Sequence, residues 1–166
     1  MATEDLFNNH RLILYYKGDI SALTLFAQHN DGQHICFPKP LPLLSSTLEQ
    51  EEFVNSKVSL HPSTLLTAIN QLYHFENDLL QIEAGFSEQV DTSNGLITVY
   101  MARFMLLDPP HALLQSRDCK FKTLPELRGR QPAEMELLRR AYVKPTFRTL
   151  ITQNRHITEH NAHRVS

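Results

Sequence analysis

Two hydrophobic periods, one of two residues and one between three and four, divide this chain into expected elements. Arg11 to Tyr16 (RLILYY) is an unbroken, β-leaning apolar run and predicts a strand. Ile20 to Gln28 alternates in part, is rich in Leu, Thr and Phe, and predicts a second strand. Asn30, Asp31 and Gly32 tolerate the positive φ of a tight turn, so His34 to Phe37 is expected to pair back across them. Pro38, Pro40 and Pro42 cannot supply ladder donors and predict an extended loop. The acidic stretch 45–58, around Glu49, Glu51 and Glu52, predicts a loop or a short surface helix. Leu65, Leu66, Ile69, Leu72 and Tyr73 then recur at spacings of three and four, which predicts a one-sided helix over 62–75. Pro62 suits its entry, Ser59 or Ser63 its cap, and Asn77-Asp78 its end.

The second half carries the longest apolar run. Asn94-Gly95 predicts a turn, and Leu96 to Leu107 is apolar on both alternations, which is the pattern of a central strand covered on both faces. Asp108-Pro109-Pro110 stops it. Phe121 to Leu124 predicts a short strand. Pro132 to Tyr142 predicts a helix, with Glu134 and Glu136 near its positive end and Arg139 and Arg140 near its negative end. Met135, Leu138 and Tyr142 are its expected buried face. Residues 151–166 are polar and read as a frayed tail. The fold class implied is α/β (α+β), a mixed sheet flanked by helices, with one domain over 1–150.

Composition narrows the setting. A chain of 166 residues buries about two-thirds of its unfolded surface in a single core, so neither disulfides nor a structural metal is needed. Two cysteines, Cys36 and Cys119, do not make a secreted scaffold, and reduced thiols in a cytoplasmic protein are the plain expectation. Met1 to His10 has no apolar signal-like core, and no stretch reaches the ~18 apolar residues of a membrane helix. The net charge of −2 hides an asymmetry: residues 1–116 hold 5 Lys/Arg against 13 Asp/Glu, and residues 117–166 hold 11 against 5. A basic final third attracts phosphates. Aromatic residues among those charges are few (Phe121, Tyr142 and Phe147) and form no stacking series, so a nucleic-acid partner is not expected.

Three stretches in order carry a family likeness. Leu79 to Phe86 (LLQIEAGF) resembles the end of a Nudix box, where a helix closes on Glu, any residue, Gly and an apolar residue. Gly95 to Phe104 (GLITVYMARF) resembles the strand after the box. Phe121 to Leu127 (FKTLPEL), followed by the helix ending at Tyr142, resembles the family's last strand, turn and helix. Over residues 11–145 the chain thus resembles the Nudix (MutT-like) hydrolase superfamily, as a divergent member with a degenerate box. The resemblance implies a Nudix-like mixed sheet and a ligand of nucleotide or nucleoside-diphosphate type. Against the motif G-x5-E-x7-R-E-U-x-E-E-x-G-U (U apolar), aligned on Gly85, only Glu83 survives of the final Glu pair. Ile82 replaces the other member, Asp78-Leu79 the Arg-Glu pair, Asn70 the upstream Glu and Thr64 the first Gly. Hydrolysis of a diphosphate link needs carboxylates grouped around a divalent cation. With so few left, no metal site is expected.

Single residues sharpen the choice. Arg103 lies in mid-strand among apolar neighbours, where a guanidinium needs a carboxylate, a phosphate or solvent; it is the candidate ligand-binding residue. Glu83 is the candidate catalytic residue, and Glu76 and Glu83 are the weak metal candidates. His156, His160 and His163 with Glu159 have helical spacing but read as part of a polar tail. His61 and His74 flank the first long helix and read as cap or surface residues. Cys36 beside His34, and Cys119 between Asp118 and Lys120, lack the groups that activate a thiol.

Three functions remain open. The leading one is a divergent Nudix-like protein without standard metal-dependent hydrolysis, binding a small anionic ligand or a protein partner, with no cofactor expected. The second is an active Nudix-type diphosphate hydrolase using Mg²⁺ held by Glu76, Glu83, Glu88 or Asp91. The third is an interaction module built on the loop 38–58 and the basic C-terminal helix.

Overall fold

Strand β7 (Gly95–Phe104) is the axis around which the rest assembles. Its two-sided apolarity is used as the pattern predicts. One edge pairs in parallel with β1 (His10–Lys17), from His10↔Thr98 to Tyr15↔Arg103. The other edge pairs antiparallel with β6 (Glu88–Thr92) and then β5 (Leu80–Ile82). The computed structural model describes residues 3–19, 22–53, 60–127 and 130–143. Among these, eight strands form one mixed sheet. Beyond β1 lie β2 (Thr24–His29) and the edge strand β8 (Cys119–Lys122); beyond β6 lies the short β4 (Ser46–Thr47). The remaining strand, β3 (Cys36–Phe37), pairs with β1.

Helices cover both faces. Leu12, Leu14 and Tyr16 of β1 point into one core with Ala102, Phe104 and the buried face of α2 (Pro62–Tyr73), which is Leu65, Ala68 and Ile69. Ile13 and Tyr15 point into the opposite core with Val99 and Met101. Leu137, Leu138 and Ala141 of α5 (Pro132–Val143) close that second core. Each fully buried Leu, Ile or Phe contributes roughly 1.5–3 kcal/mol. Two such layers on one sheet explain why the run at 96–104 has no polar alternation. The other helices are short: α1 (Thr3–Leu6), α3 (His111–Gln115) and α4 (Leu124–Leu127).

Several expectations are corrected. The turn at 30–32 does not make a hairpin of β2 and β3. His29 N–H donates to His34 O at 2.9 Å, but Cys36 and Phe37 pair with Ile13 and Leu12 of β1. Segment 30–35 is an excursion that leaves β1 to let β2 pair with β8, then returns. The stretch expected to end a box helix is the strand β5 instead. Leu80 is buried opposite Phe104 and Gln81 is exposed, so period two prevails. The helix has already ended at Tyr73, where His74 adopts φ 55°. Met105, Leu106 and Leu107 lie beyond β7 and are exposed. Residues 45–53 hold β4 and a 3-10 turn at Gln50–Glu52; positions 54–59 of that expected loop lie outside the described residues. So does the expected tail 151–166, with His156, Glu159, His160 and His163.

Candidate functional site

Two of the residues singled out from sequence, Glu83 and Arg103, meet around a third that was not. Tyr15 pairs with Arg103 across the parallel ladder, and Gln81 pairs with Arg103 on the other side. Because strand side chains alternate, Tyr15, Lys17, Arg103 and Glu83 all fall on the sheet face that carries Ile13 and Met101. The Tyr15 hydroxyl donates to Glu83 Oε2. Glu83 is fixed from behind by its own N–H, which donates to Met101 O at 2.8 Å. Burial first, then the bond to Glu83 and its charge, push the Tyr15 phenol above its ordinary range, and Arg103 pulls it back in part. Lys17 is almost fully buried, and burial followed by the charge of Arg103 hold its ammonium below the usual value, against the pull of Glu83.

Arg103, like Glu83, is half-buried. Its Nη2 donates to Lys17 O at 2.8 Å and to Asp19 Oδ1 at 2.9 Å. Its side chain is 20% exposed, and that of Asp19 is 71% exposed, so water competes for this ion pair. Nε and Nη1 bond to no described residue. The cluster sits at the carboxyl ends of β1 and β7, the sheet's parallel pair, which is where open α/β sheets place ligands. Lys17 was not anticipated; its spacing of two from Tyr15 and its place just before Gly18-Asp19 were the available signals.

The other predicted carboxylates are elsewhere. Glu88 is buried and bonded to Arg140 Nη1 at 3.0 Å, which ties β6 to α5. Asp91 is exposed in the β4–β6 pair, and Glu76 is exposed in the turn after α2. Among the described residues no three His, Cys, Asp or Glu side chains gather as a metal group would require.

Cys36, Cys119, His29, His34, His61 and His74 are engaged in packing or hydrogen bonds. Burial, then the neighbouring Glu134, push the Cys36 thiol well up, and His34 Nδ1 lies 2.9 Å from Cys36 O, not from the sulfur. Burial and then Asp118 raise Cys119 to about 11, so neither thiol is a ready nucleophile. His29 is stacked between His34 and Phe37, each with ring centroids 4.1 Å away, and lies 3.9 Å from Cys119 Sγ. Burial and then His34 lower it to about 4. His61 caps α2 by accepting from Ser63 N–H, and His74 closes its far end.

A cavity of about 460 Å³ opens between the 32–43 loop and the start of α5. No helix among the described residues is long and apolar enough to cross a membrane. No family model matches the chain, and no curated protein matches it at a significant level.

Proposed function

We propose that this chain is a divergent Nudix-like domain that binds an anionic, phosphate-bearing ligand of nucleotide or nucleoside-diphosphate type and does not hydrolyse it by the metal route. The observation that carries this reading is Arg103, whose guanidinium is partly exposed beside Lys17 and keeps two donor nitrogens unspent among the described residues. A charge-assisted phosphate contact at Nη1, widened to a fork through Nη1 and Nη2 when the solvated Asp19 carboxylate is displaced, is the chemistry this geometry suits. Loss of hydrolysis is supported by the fate of the carboxylates. Glu83 is engaged by Tyr15, and Glu88 by Arg140. A second alignment of the box supports the same loss. If its closing Gly and apolar residue are His74, in the left-handed conformation, and Phe75, its Glu positions on α2 fall on Ala68, Gln71 and Leu72.

The test is calorimetric titration of ADP and ADP-ribose into wild type and Arg103→Met, with and without millimolar Mg²⁺. Binding by the wild type without Mg²⁺, weakened at least tenfold in the variant (about 1.4 kcal/mol), is expected. Because Asp19 is mostly solvated, the variant should lose no more than about 1 kcal/mol of stability. Mg²⁺-dependent turnover abolished by Glu83→Gln would replace this reading with the hydrolase. Absence of binding to either nucleotide would remove it. A protein partner is the second reading, favoured by Leu43 and Leu44, which stand 85% and 94% exposed on the loop after Pro42.

A further inference from the structure

The cavity between the 32–43 loop and α5 shares no residue with the Arg103 cluster. Its volume, about 460 Å³, lies within the ~300–1,000 Å³ of small-molecule sites. Its walls combine three kinds of group. Leu41 and Leu43 supply apolar surface, the one buried and the other open to solvent. Glu134 supplies a carboxylate that is only 2% exposed. Arg130 supplies a cation at the mouth, next to Gln131 at the start of α5.

The two charges are engaged differently. Glu134 Oε2 accepts both Ile35 N–H, at 3.0 Å, and Cys36 N–H, at 3.3 Å, which pins the start of β3 to the helix. Its Oε1 takes neither amide, and the carboxylate also bonds the Cys36 side chain. Arg130 lies four residues before Glu134, yet among the described residues no ion pair joins them, and the Arg130 guanidinium bonds to none. The cavity thus offers a fixed acceptor inside and an unspent cation at the rim. α5 starts two residues after that cation; Pro132 has no N–H, so Ala133 and Glu134 carry the open amides of this helix N-terminus, which favours a carboxylate.

We propose that this cavity binds a free α-amino acid with a branched apolar side chain. The ammonium donates to Glu134 Oε1, and the carboxylate meets Arg130 and the α5 N-terminus. The side chain lies on Leu41 and Leu43. One ligand then satisfies both charges while covering an apolar wall. A cation alone would face Arg130, and an anion alone would face Glu134, so neither single charge fits.

His34 lines the same cavity and serves as a reporter. Its ring signals are followed by NMR while L-leucine, isoamylamine or 4-methylpentanoate is added to wild type, Glu134→Gln and Arg130→Met. In Glu134→Gln the amide oxygen still accepts from Ile35 and Cys36, so the fold is retained; the urea midpoint checks this. Arg130 is exposed, so its variant is decisive even if the first one misfolds. Saturable perturbation by leucine at millimolar concentration is expected, at least tenfold weaker for both variants and both single-charge analogues. Equal binding of either analogue, unchanged leucine affinity in Arg130→Met, or no perturbation of wild type would each overturn the proposal.

Discussion

Arg140 shows how one side chain is committed when it is taken out of water. It lies on α5 among buried residues and spends all three nitrogens: Nη1 on Glu88 and Leu48 O, Nη2 on Glu49, and Nε on Glu136. Glu88 is the buried partner, whereas Glu49 is mostly solvated. Removing the guanidinium takes the Arg140 charge away from a carboxylate in a low-dielectric site, and that penalty exceeds the value of the pair itself. Arg140→Met should therefore cost about 3–5 kcal/mol in urea unfolding. Its neighbour Arg139 is exposed and, among the described residues, ion-paired with Glu136 alone, so Arg139→Ala should leave the urea midpoint close to that of the wild type. Adding Glu88→Leu to Arg140→Met should recover much of the loss. A double variant as unstable as the single one would show that packing, not charge, sets the cost.

At the scale of elements, α2 is delimited by chemistry at both ends. Pro62 occupies its first turn without wasting a donor, and His61 satisfies Ser63 N–H. At the far end His74 holds φ 55° while its N–H and that of Phe75 both return to Asn70 O. That is a left-handed closure, a position glycine fills without steric cost and other residues fill at roughly 1–2 kcal/mol. His74→Gly should raise stability by about 1 kcal/mol, read as a higher urea midpoint with an unchanged slope. A lower midpoint would mean the imidazole contributes more than the strained backbone costs. Arg117 helps hold this closure, since its Nη2 donates to His74 O.

For the whole molecule, the response to acid follows from the stack at His29. Burial and His34 lower this imidazole from 6.5 to about 4, so the fold holds it neutral while the unfolded chain charges it first. A group shifted in this sense leaves stability intact above 6.5 and erodes it as pH falls towards 4, because the unfolded state binds the extra proton. His34, also lowered chiefly by burial, adds a change of the same sign. Urea midpoints of the wild type should fall as pH is lowered from about 6.5 to 4, and His29→Phe should fall less. Equal slopes in that window would place the acid sensitivity in other groups. The α5 contact at Glu136, held at about 2 chiefly by its bond to Arg139, is lost only at lower pH.

What the sequence determined by itself is what depends on neighbours in the chain. The two-sided run at 96–107 marked a strand covered on both faces, which the structure ends at Phe104, and spacings of three and four marked α2 and α5, because burial imprints a local period. The strand β6, reading EQVDT with only Val90 apolar, left no such imprint; it exists because the turn to Gly95 lays it along β7. Pairing partners were likewise hidden. Cys36 and Phe37 looked like the return arm of a hairpin, yet β1 takes them, since β2 is drawn away by β8. The candidate site has the same character. Arg103 was visible as a charge in an apolar run, and Glu83 only through the resemblance of its stretch to a family motif. Their meeting with Tyr15 and Lys17 depends on strand register, which links positions 15, 83 and 103. Glu134 reaching Ile35, 99 residues away, is of the same kind. A local period records which face of an element is buried; only the closed tertiary structure sets which faces touch, because register is decided by the sum of all pairings at once.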